Sequence, residues 1–214
     1  MGRQLAVDFF LIAHDPFDEG RLRISPELLG CGLVGAELAD LVLAGRLGIA
    51  GEDVVVLEPS GQLDEVDDYV IEAVGSQDSV HPVRAWVEPL QDGLYALIGR
   101  KLVAAGMLRR VQGGRRITRG RQPDRFPAND LLAACRPQQQ LEQLLRSPAD
   151  LTLASGVLAA LIGVLDLDGL LNPEIDRATL REILDEIEHH LPTDLRALCE
   201  GVRAVGAEVS LRAR

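Results

Sequence analysis

Seven arginines crowd one short stretch of the chain: Arg109, Arg110, Arg115, Arg116, Arg119, Arg121 and Arg125. Asp124 is the only acid among them, so residues 109–125 carry +6. The whole chain carries −11, which leaves −17 for everything else. Like charges at this density destabilise a fold unless water or an anionic partner covers them. Guanidinium forks grip phosphate through paired hydrogen bonds, so the chemistry on offer is recognition of phosphate or of an anionic lipid headgroup. Arg109, Arg110, Arg115, Arg116, Arg119 and Arg121 are the candidate binding residues, and an anionic phospholipid surface is the expected partner. Nucleic acid is not expected: Phe126 is the one aromatic near the arginines, so a stacking platform is lacking. The competing reading is an interaction module. There the arginines dock on an acidic partner, within the chain or between copies, with the acidic segment 64–72 as the receiving surface.

A second pattern points to different chemistry. Gly30-Cys31-Gly32-Leu33-Val34-Gly35 fits the dinucleotide fingerprint, and Glu58 follows the apolar run 54–57 where a ribose-binding acid would stand. The fingerprint needs a strand running straight into its first glycine. Here Ser25-Pro26-Glu27 has already opened a helix: Ser accepts an unpaired N–H, Pro has none to waste, and Glu suits the positive end. The three glycines are then expected inside a helix, as places of close approach. A nucleotide-dependent enzyme on Gly30, Gly32 and Gly35 is the alternative reading.

Other groups carry less. Asp166-Leu167-Asp168-Gly169 lacks the glycine and the bidentate Glu that a calcium loop requires at later positions. His189 and His190, with Asp185 and Glu186 one turn before them, fit the negative end of a helix better than a metal site. A P-loop or a nucleophile elbow is lacking as well. The reading is a non-catalytic protein with no cofactor and no metal.

The elements that must position the arginines follow from composition and punctuation. Aromatics make up 3% of the 214 residues, so Leu, Val, Ala and Ile must build the core, which favours helices over a sandwich or barrel. Cys31, Cys135 and Cys199 are too scattered for a zinc or disulfide framework. Cys31 and Cys199 read as buried small residues. The apolar stretch 151–165 is too short to cross a bilayer. Together with a start that does not resemble a signal peptide, this gives a cytoplasmic protein, which the lipid-binding reading places peripherally at the inner face of the membrane.

Helices are expected over 5–13, from Pro26 to about Ala44, over 63–74 and over 93–105. Four more are expected over 130–145, 151–165, 174–190 and 193–211, punctuated by Pro137, Pro148, Pro173 and Pro192. Residues 47–49 and 54–57 read as a hairpin. Residues 108–111 and 116–118, flanking Gln112-Gly113-Gly114, read as a second one that protrudes and is rich in Arg. The fold class is mainly α: a single helical domain over 1–214 with small β-hairpins.

The order of several segments resembles the Golgi phosphoprotein 3 family. They are Glu37-Leu38-Ala39-Asp40-Leu41-Val42-Leu43-Ala44-Gly45-Arg46-Leu47, then Leu63-Asp64-Glu65-Val66, then Trp86. Lys101-Leu102-Val103-Ala104-Ala105-Gly106-Met107-Leu108 and Arg125-Phe126-Pro127 follow. The likeness covers residues 5–147 well and the rest more loosely. It implies a bacterial member of a family of peripheral phosphoinositide-binding proteins with a mostly helical fold and a protruding hairpin. In eukaryotic members a Trp and three Arg hold the phosphatidylinositol-4-phosphate headgroup. The aligned positions here are Ser25, Val34, Tyr95 and Leu97, so that specificity is not implied. The eukaryotic hairpin is apolar and enters the membrane; an Arg-rich one suits a membrane surface better.

Overall fold

The computed structural model describes residues 4–57, 64–112, 115–116, 120–121 and 124–212. Among these, eight α-helices surround one hydrophobic core, and three small antiparallel sheets lie at its margins. The protein is mainly α, as its composition requires.

The centre is α2 (Pro26–Leu43). The Ser25 hydroxyl accepts from the Leu28 N–H at 3.2 Å, and Pro26 takes the first helical position. Twelve of its eighteen residues are buried, because helices cover it on several sides. These are α1 (Leu5–Ala13), α4 (Val83–Ala104), α6 (Leu153–Val164) and α8 (Thr193–Arg212). Helices apolar all round, such as α1 and α6, belong inside a core and nowhere else.

The glycines of the apparent fingerprint explain how α2 can be so crowded. A methyl group on Gly32 would stand 1.9 Å from the Phe9 ring of α1. One on Gly35 would stand 2.7 Å from Val202 of α8 and 3.0 Å from Leu161 of α6. Gly30 faces Gln91 of α4 in the same way. All three lie within the helix, with no strand before them. The geometry that a pyrophosphate needs is therefore missing, and the nucleotide reading of this motif fails. Glu58 lies outside the described residues.

Gly45 closes α2 at φ +69° and Gly106 follows α4 at φ +72°, both in the left-handed region that glycine enters without strain. Strands β3 (Leu47–Ala50) and β4 (Asp53–Val56) pair as expected, with Leu47 opposite Val56. They follow β1 (His14–Asp15) and β2 (Arg21–Leu22), a short pair that ends α1. A third strand, β5 (His81–Pro82), joins β4, and sequence reading missed it. Two residues show no alternation, and Pro is tolerated there because the strand lies at an edge.

One helix start differs clearly from expectation. Residues 83–104 form one helix, α4, that runs through Pro89 and Gly93 rather than starting at Gly93. Burial of Val83, Trp86, Val87, Leu90 and Leu94 along one stripe outweighs the bond that Pro89 removes. The helix expected over 130–145 forms as α5 (Leu131–Arg146), with Pro137 buried inside it. The remaining helices are α3 (Glu65–Gly75) and α7 (Arg177–His189). Asp64 and Asp67 cap α3 reciprocally, and Asp176 caps α7.

Candidate functional site: an arginine hairpin and the cleft at its base

After Gly106 the described residues form a two-stranded ladder. Leu108 bridges Ala128, and Val111 exchanges both backbone hydrogen bonds with Arg125, at 2.9 and 2.8 Å. Farther out, β6 (Arg115–Arg116) pairs with β7 (Gly120–Arg121), Arg115 opposite Arg121 and Arg116 opposite Gly120. These pairings share one register. They correct the expected hairpin: residues 108–111 pair with the return strand at 125–128, not with 116–118. Gly113, Gly114 and Thr118 lie outside the described residues.

The cause of the longer ladder is its anchor. Phe126 is buried on the return strand, and its ring fills the place of the side chain that Gly99 of α4 lacks; a methyl group there would meet the ring at 2.5 Å. Phe126 packs edge-on to Phe10 and Tyr95 with ring centres 5.4 and 5.5 Å away. The Asn129 amide donates to the carbonyls of Gly106 and Leu108, both at 3.2 Å, and seals the junction.

The arginines divide into two groups. Arg110 at the base donates from Nε to Asp124 Oδ2 at 2.6 Å, and its terminal nitrogen reaches the same oxygen. Arg125 stands 3.9 Å from Glu19, and Arg109 is exposed. Arg115, Arg116 and Arg121 lie on the paired outer strands, and Arg119 lies outside the described residues. The one acid of the segment is therefore engaged at the base.

A cleft of about 640 Å³ opens beside that base. One wall is a single face of α3, with Glu65, Asp68, Tyr69 and Glu72 at helical spacing. The floor is one face of α4 (Gly93, Ala96, Leu97 and Arg100), and Arg110, Asp124 and Phe126 close the far side. The acidic segment thus faces the hairpin base across open space. Its ion pairs go to α4: Glu65 to Arg100 at 2.7 Å, and Asp64 to Lys101. Burial alone would raise the Asp64 carboxyl, but the Lys101 contact and two backbone N–H bonds hold it below the usual carboxylate range.

On the other side of Asp124 lies a smaller cavity of about 230 Å³, lined by Gly20, Arg21, Ile24, Pro26 and Arg125. Sequence reading did not single out Arg21. Nothing in its neighbours marks it; the β1–β2 pair brings it to the hairpin.

Each of the four positions aligned with the family's headgroup site has a place in the fold, and Tyr95 and Leu97 share the cleft. Ser25 caps α2, and Val34 is fully buried in the core. Tyr95 donates its hydroxyl to the Asp124 carbonyl at 2.7 Å, and Leu97 lies in the cleft floor. The other candidates have structural duties. Asp168, 3% exposed, is held by Arg177 at 2.6 Å and Arg181 at 3.3 Å. His190 accepts the cap position of α7, with its ring nitrogen 2.8 Å from the Glu186 carbonyl. Among the described residues no group of His, Cys, Asp and Glu is arranged to hold a metal, and no helix is long and apolar enough to cross a membrane.

Comparison with curated proteins gave no match. Comparison with family models matched residues 5–208 to Golgi phosphoprotein 3, nearly the whole chain and well past the hairpin. The order of motifs, the helical body and the ladder that follows α4 all agree with that match, and the chain belongs to the Golgi phosphoprotein 3 family.

Proposed function

We propose that this protein is a non-catalytic peripheral binder of anionic phospholipid surfaces, with the hairpin arginines as the contact. The observation that carries the reading is the engagement of Asp124 by Arg110 at the base. The same stretch of sequence holds Arg115, Arg116, Arg119 and Arg121 and no acid besides Asp124. The backbone register sets Arg115 opposite Arg121. Arg21 and Arg125 add two more guanidinium groups at the base, beside the N-terminus of α2.

Each Arg near an anionic surface contributes about 1 kcal/mol within a Debye length of about 8 Å. Four of them supply roughly 4 kcal/mol at most, before repulsion from the acidic body is subtracted. Binding is therefore weak, reversible and salt-sensitive. Because Ser25, Val34, Tyr95 and Leu97 replace the family's headgroup residues, it discriminates little between anionic lipids of equal charge.

Flotation tests this. The protein is mixed with phosphatidylcholine vesicles, alone or doped at matched charge with phosphatidylserine, phosphatidylglycerol or phosphatidylinositol-4-phosphate. Binding to all doped vesicles, lost in the variant with Arg115, Arg116, Arg119 and Arg121 changed to Ser, is the expected result. Strong preference for phosphatidylinositol-4-phosphate would overturn the generic reading. Absence of binding in both forms, with the variant losing its oligomeric state, would move the arginines to contacts between copies.

A further inference from the structure

A cluster of carboxylates lies where three helices meet, and the site described above does not use it. Glu37 of α2 is 3% exposed, and its Oε1 has no hydrogen-bond partner. Its side chain is hydrogen-bonded to Asp67 of α3. Two carboxylates hydrogen-bond to one another only when one of them carries a proton. One turn along α2, Asp40 accepts from the Ala6 N–H at 3.3 Å. It serves the first turn of α1, whose own N-cap, Gln4, supplies no side-chain bond. An unpaired buried carboxylate is costly, and several together are more so.

We propose that Glu37, Asp40 and Asp67 form a proton-linked latch: the cluster takes up a proton as α1 and α3 dock on α2, and docking weakens when that proton leaves. Burial, then the charge of Asp40 and Asp67, pushes the Glu37 carboxyl well above the carboxylate range. Burial lifts Asp40 to about 7 against the backbone bonds that favour its ion. The facing groups from each element agree with this. Asp8 faces Asp40 from α1, and Asp64 and Asp67 face Glu37 from α3. Lys101 of α4 is engaged by Asp64.

The latch reaches the cleft through α3. Asp64 and Asp67 cap that helix, and Glu65, Asp68 and Glu72 of the same helix form the cleft wall opposite the hairpin base. Protonation therefore sets how firmly the acidic wall is held beside the arginines. The proposal is independent of what the hairpin binds.

The sign follows from proton counting. A carboxyl raised in the fold binds a proton that the unfolded chain has lost, so the stability it gives is full at acid pH and falls as pH rises towards the folded pKa. The informative window is about pH 7.2 to 8.2, between the ordinary values of histidine, about 6.5, and cysteine, about 8.5. There, one linked proton lowers the folded-to-unfolded ratio of the wild-type protein about tenfold per pH unit. Urea unfolding at three pH values across the window, on wild type and Glu37→Gln, measures it. The expected result is a slope of about tenfold per unit in wild type and a clearly shallower one in the variant, where Asp40 alone still releases a linked proton. A flat wild-type profile, or an unchanged slope in the variant, overturns the proposal. If Glu37→Gln does not fold, hydrogen exchange of wild type decides. Opening of α1 and α3 amides must then rise with pH relative to α7, and equal behaviour of the three helices refutes the latch.

Discussion

The Tyr95 hydroxyl donates to the Asp124 main-chain carbonyl at 2.7 Å, while the Asp124 side chain holds Arg110. One residue of the return strand thus ties α4 to the hairpin by its backbone and neutralises an arginine by its carboxylate. Burial and the adjacent Asp124 charge push the Tyr95 hydroxyl above its ordinary range, so it stays a donor across physiological pH.

Removing that donor tests how the ladder is held. Tyr95→Phe keeps the ring packing and loses the bond, at an expected cost of about 1 kcal/mol in urea unfolding. Lipid flotation should change little, because the outer arginines keep their charge. A cost near zero would show that water replaces the hydroxyl without loss.

Gly32→Ala separates packing from ligand chemistry. The added methyl group would stand 1.9 Å from the Phe9 ring, so the core must shift, at an expected cost of about 1–3 kcal/mol. Thermal unfolding should show it plainly. Isothermal titration with nicotinamide or adenine dinucleotides should give no binding in either form. Saturable binding in wild type alone would restore the fingerprint.

His14 gives acid sensitivity of a particular sign. It is buried against Phe10 with ring centres 4.2 Å apart, and its Nδ1 lies 2.6 Å from the Phe10 carbonyl. Burial lowers its pKa from 6.5 to about 4. A group depressed in the fold contributes stability above its unfolded pKa and loses it as pH falls towards the folded one. Relative to His14→Phe, wild type should lose about 3 kcal/mol between pH 6.5 and pH 4. The raised carboxyls of Glu37 and Asp40 act in the opposite sense, so the comparison must be between the two proteins at each pH. Equal profiles would refute the neutral, buried imidazole.

Asp168→Asn probes the turn before α7. Burial raises the Asp168 carboxyl, but the bonds from Arg177 and Arg181 outweigh it and hold the carboxyl below its usual range. Both arginines are more than half exposed, so water takes them up when the charge goes. The expected loss is about 1–2 kcal/mol by urea unfolding, with no change on added calcium. Stabilisation of wild type by calcium would bring the metal reading back.

The legible parts of this fold were those with a local cause. Ser25-Pro26 opens α2 and Gly45 closes it because capping and left-handed backbone are decided within a few residues. The fate of Gly30, Gly32 and Gly35 followed from that start alone. Pro89 misled for the opposite reason: its local preference was outweighed by burial of distant groups along α4. The hairpin register misled because residues 108–111 take partners at 125–128 that no local signal marks. The arginines announced themselves by density. Arg21 and the Glu37–Asp67 bond had no local signature, since both arise only when separate elements meet.

The notch at Gly99 has a last implication. The ring of Phe126 acts as a peg, and the notch in α4 is its socket, so one missing side chain fixes where the return strand meets the body. Gly99→Ala would fill that socket without altering a single charge. The seating of this strand and the electrostatics of the chain are therefore separable properties.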